Sequence, residues 1–127
     1  MVSFEAFRAV DGAPVYLQII NFIKRGAIAG TIRDGDELPS RRVLSALLGI
    51  NPNTVQKAFH ILEEEHLMES RTGAKSCMTL PPDTLDALRR EVLSDELRAM
   101  ARTLRQLGIS KEEALRLIEQ AREEEAQ

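Results

Sequence analysis

Apolar residues recur at helical spacing in three segments of the first half of the chain. After Pro14 they follow an i, i+3, i+4, i+7 pattern, which predicts a helix with one apolar face. Pro14 suits the start of this helix and Gly30 suits its end. The apolar positions of this first helix are Tyr16, Ile19, Ile20, Ile23 and Ala27.

Two shorter amphipathic segments follow a charged, glycine-containing stretch, TIRDGDELP, which reads as a turn. The first is predicted from a cap at Ser40 to Gly49, with Val43, Leu44 and Leu47 on its buried face. The second starts almost at once, with Asn51 as cap and Pro52 at the first helical position. Its apolar face is Val55, Ala58, Phe59 and Leu62, so the two segments together predict a helix-turn-helix.

The chain after this motif is predicted to form a β-hairpin and then a helical tail. Residues 67–71 and 75–80 are the hairpin strands, and the Pro81-Pro82 break ends the domain. A long helix capped by Asp83 or Thr84 then runs to Gly108, and Ser110 with Glu113 forms a capping box for the last helix.

Apolar residues of the tail alternate by four and three from Leu93 onward, as in a coiled-coil seam. A two-helix hairpin is too small to enclose a core of its own, so we expect it to pack against a second copy. The predicted dimerisation residues are Leu93, Leu97, Met100, Leu104, Leu107 and Ile118.

The predicted fold class is therefore mostly α with a small β-hairpin wing. It comprises a loose arm (1–13) that Phe4 and Phe7 can anchor, a winged helix-turn-helix domain (14–82) and a two-helix dimerisation region (83–127). An apolar share of 43% is enough for a folded core.

The distribution of charge matters more than the net charge of −3. Residues 1–80 carry nine basic and nine acidic side chains, so the excess of acid lies in the tail. Within the first part, residues 38–62 and 70–80 contain Lys and Arg but no acid, which favours a local basic face able to contact phosphate.

Enzymatic and metal chemistry lack support in the sequence. His60, His66 and Cys77 do not have the spacing of a zinc site, and we find no phosphate loop or nucleophile motif. We expect no catalytic residue, metal or cofactor. The single cysteine, the absence of a long apolar run and a start unlike a signal peptide favour a cytoplasmic protein with no membrane partner.

Several consecutive motifs carry a resemblance to a known family. PVYLQI (14–19), LPSRRVL (38–44), LLGINPNTVQKAF (47–59) and ILEEEHLMESRTG (61–73) occur in order and at the expected spacing. The chain thereby resembles the GntR family of bacterial regulators, and its NPNTV string and short tail resemble the YtrA-like subfamily. The wing tip departs from the family pattern of Gly, any residue, Gly, Thr and Phe, because Lys75 and Cys77 replace the second glycine and the aromatic residue.

A helix fits the major groove of B-DNA, and the third helix is the candidate that reads base edges. Asn53 and Gln56 can bind adenine through two hydrogen bonds each, while the free N–H groups at the helix start favour phosphate. The resemblance assigns DNA contact to Arg42, and the wing would touch the backbone or minor groove. The full set of predicted DNA-binding residues is Ser40, Arg42, Asn51, Asn53, Thr54, Gln56, Lys57, His60, Arg71, Gly73 and Lys75.

Some of these residues have a simpler structural explanation. Capping alone would account for Asn51, and packing or capping alone would account for Thr54. His60 can be an ordinary surface residue. Arg41 is expected to be a solvated partner of a nearby acid. The run Glu63–Glu65 is expected to be a solvated face that phosphate would repel.

The function that follows is a sequence-specific transcription regulator that binds an inverted-repeat operator on double-stranded DNA as a homodimer. Repression is what the resemblance suggests. The alternative is a winged-helix protein-interaction module without specific DNA binding, which the altered wing tip and acidic tail would favour. An unknown small-molecule effector bound at the tail is compatible with the first function.

Overall fold

The computed structural model describes residues 1–71 and 75–127, and this part of the chain contains five helices and a three-stranded sheet. The mostly helical fold with a small β-hairpin is confirmed. In chain order the elements are α1 (Val15–Ala29), β1 (Glu37–Leu38), α2 (Arg41–Leu48), α3 (Pro52–Glu64), β2 (Met68–Arg71), β3 (Lys75–Met78), α4 (Pro82–Gln106) and α5 (Lys111–Glu125).

The chain forms two compact units, Met1–Arg89 and Arg90–Gln127, and the boundary between them in the sequence lies within α4. The first unit contains α1 to α3, the sheet and the start of α4. The second contains the rest of α4 and all of α5. The domain limits predicted at residues 13 and 82 stay predictions.

The core of the first unit lies between α1, α2 and α3. α1 and α3 each contribute one face of apolar side chains, as their sequence periodicity predicts, and α2 contributes Leu44. Full burial of such a side chain contributes roughly 2 kcal/mol to stability. The largest fully buried residues are Ile19, Ile23, Leu44, Val55, Phe59 and Leu62.

The turn between α2 and α3 is short and depends on a glycine. Gly49 ends α2 with a φ of 67°, in the left-handed region that is costly for other residues. The backbone N–H of Ile50 then donates to Ser45 O at 3.0 Å, and α3 begins at Pro52. Gly49 and Pro52, which mark the turn in the sequence, therefore also form it in the structure.

The orientation of α2 differs from the prediction. Leu44 and Ser45 are buried, but Val43 is 55% exposed and Leu47 is 66% exposed. Because α2 turns Leu44 and Leu48 toward the core, Val43 and Leu47 lie on its outer side. The prediction that they share the buried face is wrong. They line a groove of about 590 Å³ together with Phe4 and other residues of the N-terminal arm.

The sheet has the order β1-β3-β2 and is antiparallel throughout. The predicted hairpin strands are present as β2 and β3, although β3 ends at Met78. β1 lies in the segment predicted as a turn, and it exists because Glu37 pairs with Cys77, far along the chain. Two residues show no alternation, so sequence periodicity has no means of detecting such a strand.

The N-terminal arm has no regular structure, but it is attached to the first unit more firmly than a loose arm would be. Phe4 stacks on Phe22 of α1 with ring centroids 5.3 Å apart, and Phe7 meets the same ring edge-on at 5.5 Å. The N–H of Val2 donates to Glu37 O at 2.7 Å. Aromatic packing and one backbone bond thus join the arm to α1 and to the edge of the sheet.

The starts of the two tail helices follow local sequence signals. α4 starts at Pro82, one or two residues before the predicted caps Asp83 and Thr84, because proline is well suited to the first helical position. The start of α5 agrees with the prediction, since Ser110 Oγ accepts from the N–H of Glu113 at 3.2 Å.

Candidate nucleic-acid interface

Asn51 caps the start of α3. Its Oδ1 accepts from the N–H of Asn53 at 2.8 Å, and its backbone carbonyl accepts from the N–H of Thr54 at 2.9 Å. Asn51 is therefore an N-cap, and the side-chain amide of Asn53 stays exposed to solvent. Ser40 has the same role in α2, where its Oγ accepts from the N–H of Val43 at 3.1 Å.

The outer face of α3 is polar because the opposite face is fixed in the core. Val55, Ala58, Phe59 and Leu62 are buried, so the residues between them point away from the domain. Thr54 is half-buried. The exposed predicted residues of this helix are Asn51, Asn53, Gln56, Lys57 and His60.

Lys57 is oriented by an aromatic ring of α1. Its Nζ lies 4.0 Å from the centroid of the Tyr16 ring, which is a cation–π contact. The apolar periodicity of α1 places Tyr16 on its apolar face and predicts no contact with the polar face of α3. The contact holds the ammonium group at one place beside α3 while leaving the residue exposed.

His60 carries a carboxylate partner one turn later in α3. Its Nε2 lies 2.6 Å from Glu64 Oε1, and both side chains are largely exposed. A phosphate that approaches His60 therefore also meets the negative charge of Glu64. Such a contact requires the pair to separate, which costs little at an exposed position.

The two arginines at the start of α2 differ in their surroundings. Arg42 is exposed. Arg41 is half-buried, lies over the Phe59 ring at 5.6 Å and pairs with Glu63 Oε1 at 3.2 Å. Arg41 therefore pairs with an acid, as expected, but it is half-buried and not the solvated residue that the sequence predicts. Arg42 is the arginine available to a ligand.

Glu64 and Glu65 are exposed, as the sequence predicts, whereas Glu63 is half-buried, so the prediction of a solvated residue is wrong for Glu63. Glu63 Oε1 accepts from Ser70 Oγ of β2 at 2.8 Å as well as pairing with Arg41, so it joins α2, α3 and the sheet. Glu65 Oε2 pairs with Lys24 of α1 at 3.1 Å. Their partners are distant in sequence, so helix periodicity alone does not reveal these pairs.

The two described cations of the wing also have acidic neighbours. Arg71 Nη2 lies 3.4 Å from Glu69 Oε1, and Lys75 Nζ lies 3.9 Å from Glu37 Oε1. Both pairs are exposed, so they contribute little to stability and can open toward another anion. The third predicted wing residue, Gly73, lies outside the described residues.

The predicted dimerisation residues remain uncovered within their own unit. Leu93, Leu97, Met100 and Leu107 are exposed, and Leu104 and Ile118 are half-buried. α5 contains no buried residue at all, and the only buried residue of α4 is Leu88. The two tail helices therefore do not bury the apolar stripe against each other.

Residues 1–71 and 75–127 contain no group of three or more His, Cys, Asp or Glu residues arranged to hold a metal ion. No helix in this part of the chain is long and apolar enough to cross a membrane.

Comparison with known proteins gives a family match over the first unit. Residues 15–75 match the model of the bacterial regulatory proteins of the gntR family. The HTH-type transcriptional regulator YhcF of Bacillus subtilis is 29% identical over 102 residues, which cover 80% of this chain and 84% of YhcF. The HTH-type transcriptional repressor YtrA of the same organism is 41% identical over 63 residues, or 50% of this chain and 48% of YtrA.

A solved structure resembles nearly the whole chain. It is a GntR family transcriptional regulator from Listeria monocytogenes, with 28% sequence identity and a TM-score of 0.82. The similarity covers 88% of this chain and 98% of that protein, so it includes the tail as well as the winged domain.

Proposed function

We propose that the chain is a DNA-binding transcription regulator of the GntR family, whose model matches residues 15–75, and that it represses transcription from an inverted-repeat operator that it binds as a homodimer. Three arguments support the proposal: the exposed face of α3, the uncovered tail and the name of a relative.

The observation that carries the proposal is the polar outer face of α3. Asn53 and Gln56 are exposed near the start of a helix whose other face is fixed in the core. The N-terminal half of such a helix reaches base edges in the major groove, where amide side chains bind adenine in pairs of hydrogen bonds. We therefore propose Asn53 and Gln56 as the main base-reading residues.

Cationic and small polar side chains around this face are proposed to contact the backbone. Arg42 lies at the start of α2, Lys57 lies on the outer face of α3, and Arg71 and Lys75 lie on the wing strands. Phosphate contacts fix the register of the protein on the duplex, while base contacts supply the sequence preference. The proposed set also includes Ser40, Asn51, Thr54, His60 and Gly73.

The homodimer is proposed because the tail leaves its apolar stripe uncovered. Four of its six predicted residues are exposed, and α5 buries none of its own. A second copy related by two-fold symmetry would cover the same stripe on both chains, and two winged domains would then meet two inverted half-sites. Exposed apolar stripes of this kind mark association surfaces.

Repression is proposed from the relative YtrA, whose name describes a transcriptional repressor. A dimer bound across a promoter blocks access of the transcription machinery. Because its target is the bacterial chromosome, we propose a cytoplasmic location.

The test is an alanine substitution of both amides, Asn53→Ala with Gln56→Ala, in the full chain. Each lost pair of hydrogen bonds is expected to reduce discrimination between the preferred and the wrong base by about 1–3 kcal/mol. Fluorescence anisotropy measures this loss with an operator obtained by selection from random double-stranded DNA and with single-base variants of it.

The matched control is Asn21→Ala, which removes an exposed amide from α1. It is expected to leave both affinity and base preference unchanged. If the double variant folds and keeps the original base preference, α3 does not read the operator through these residues.

A further inference from the structure

The second unit contains a groove that the proposed function does not use. It has a volume of about 400 Å³ and lies along the last turns of α4. Three of its five lining residues are arginines: Arg98, Ala101, Arg102, Arg105 and Gln106.

The three arginines form a single face of the helix. At 3.6 residues per turn, positions 98, 102 and 105 fall within an arc of about 60°. On the same basis, the stripe that contains Leu97 and Leu104 is centred roughly 145° away. Arg98 and Ala101 also line a groove with Leu93 and Leu97. A second copy seated on the leucine stripe would therefore border one side of the arginine face and leave Arg102 and Arg105 accessible.

Charge around this groove is strongly one-sided. Between Glu96 and Glu112 the sequence contains four cations and no acid, in a chain whose net charge is −3. In the part of the chain that the structure describes, no ion pair or hydrogen bond engages the three guanidinium groups. Asp95 precedes the cluster by one turn, and no residue of α5 lines the groove.

Three uncompensated guanidinium groups repel one another, so an anion between them removes an unfavourable interaction as well as adding a favourable one. We propose that this groove binds a small oligophosphate, a molecule with two or more linked phosphate groups. Guanidinium groups match phosphate oxygens with two parallel hydrogen bonds, and such charge-assisted bonds are among the strongest in proteins.

The dimensions of the groove fit such a ligand. Arg98 and Arg105 are about 10 Å apart along the helix axis, at 1.5 Å per residue, and long side chains can converge between them. Ala101 leaves open space beside the helix, and the Gln106 side chain adds a neutral donor. One phosphate would satisfy only part of this set, whereas linked phosphates can engage all three arginines.

The experiment is calorimetric titration of the full chain with inorganic triphosphate at about 0.15 M ionic strength, where weak surface attraction is screened. Wild-type protein is expected to bind, and Arg98→Gln/Arg102→Gln/Arg105→Gln is expected to bind about tenfold more weakly or worse, a loss of about 1.4 kcal/mol. Arg102→Lys, which keeps the charge but loses the forked geometry, is expected to be intermediate. Circular dichroism verifies that each variant is folded.

The matched control is Arg42→Gln/Lys57→Gln/Lys75→Gln, which removes three cations from the proposed DNA-binding face. It is expected to bind triphosphate like the wild type. If this variant loses binding and the α4 variant does not, the anion occupies the DNA-binding face and the proposal is wrong.

Absence of triphosphate binding to the wild type would also overturn the proposal. If the α4 variant were then monomeric as well, the arginines would pair with acids of a second copy instead. Since no DNA is present in this titration, its failure leaves the proposed operator binding intact.

Discussion

At the scale of single residues, the interface depends on how each polar group is held. Asn51 and Ser40 bind backbone N–H groups at the starts of α3 and α2, so their side-chain oxygens are already engaged. Asn53 and Gln56 extend beyond the domain from a helix that is fixed by its buried side. A rigid helix face of this kind presents its amides at little entropic cost on binding.

These caps were predictable because a cap bonds to backbone only two or three residues away. The contact between Lys57 and Tyr16 was not, since it joins two helices whose packing is a tertiary property. Periodicity assigns Tyr16 to an apolar face and says nothing about which cation the edge of that face will meet.

Replacement of Tyr16 tests whether its ring positions Lys57 for DNA. Tyr16→Leu removes the aromatic face, and we expect operator affinity to fall by about 0.5–1 kcal/mol, the usual strength of an exposed cation–π contact. Tyr16→Phe keeps the ring and is expected to bind almost like the wild type. Equal affinity of the Leu variant and the wild type in anisotropy titrations would show that the ring does not position Lys57.

At the scale of elements, one carboxylate joins three of them. Glu63 of α3 contacts Arg41 of α2 and Ser70 of β2, and Arg41 is half-buried with its Nε unpaired among the described residues. The position of the wing strand relative to the helix-turn-helix therefore depends partly on this residue. Helix periodicity predicted α3 but described Glu63 only as one of three exposed acids.

Removal of this carboxylate is expected to destabilise the first unit. Glu63→Ala leaves a partly buried guanidinium without its acid partner, and we expect the free energy of unfolding to fall by about 1–2 kcal/mol. Glu64→Ala, a neighbouring acid that pairs with His60 at an exposed position, is the control and is expected to change it by less than about 0.5 kcal/mol. Urea unfolding, followed by circular dichroism, gives the free energy of unfolding of both variants. An equal loss in the two variants would show that Glu63 has no special role in stability.

The two elements that the sequence predicts incorrectly, α2 and β1, are both short. α2 has eight residues, too few for its apolar positions to define a unique buried face, so Val43 and Leu47 were wrongly assigned to the core. β1 has two residues and depends on pairing with β3. In contrast, α1 and α3 have 15 and 13 residues, and every predicted core residue except the half-buried Tyr16 is buried.

In the whole molecule, the tail is the part whose apolar residues are least covered by the rest of the chain. Its helix limits follow from local signals such as Pro82, Gly108 and Ser110, which sequence analysis can read. What covers its apolar stripe is not encoded locally, because a coiled-coil spacing is compatible with a hairpin or with a second copy. The exposed stripe favours the second copy.

Substitution of two stripe residues by acids tests the dimer. Leu97→Glu with Leu104→Glu places buried, unpaired charges in the proposed seam, and we expect the protein to become monomeric and to lose most of its operator affinity. Sedimentation measurements give the mass. The control is Leu17→Glu, at an exposed leucine of α1, which is expected to remain dimeric. A dimeric tail variant would place the seam elsewhere.

Selection of bound sequences from random double-stranded DNA, with the purified full chain at moderate salt, tests whether a dimer of this chain reads an inverted repeat. We expect enrichment of two half-sites related by two-fold symmetry at a fixed spacing. If folded, dimeric protein enriches no sequence, the chain does not read an operator, and a protein-interaction module is the better interpretation.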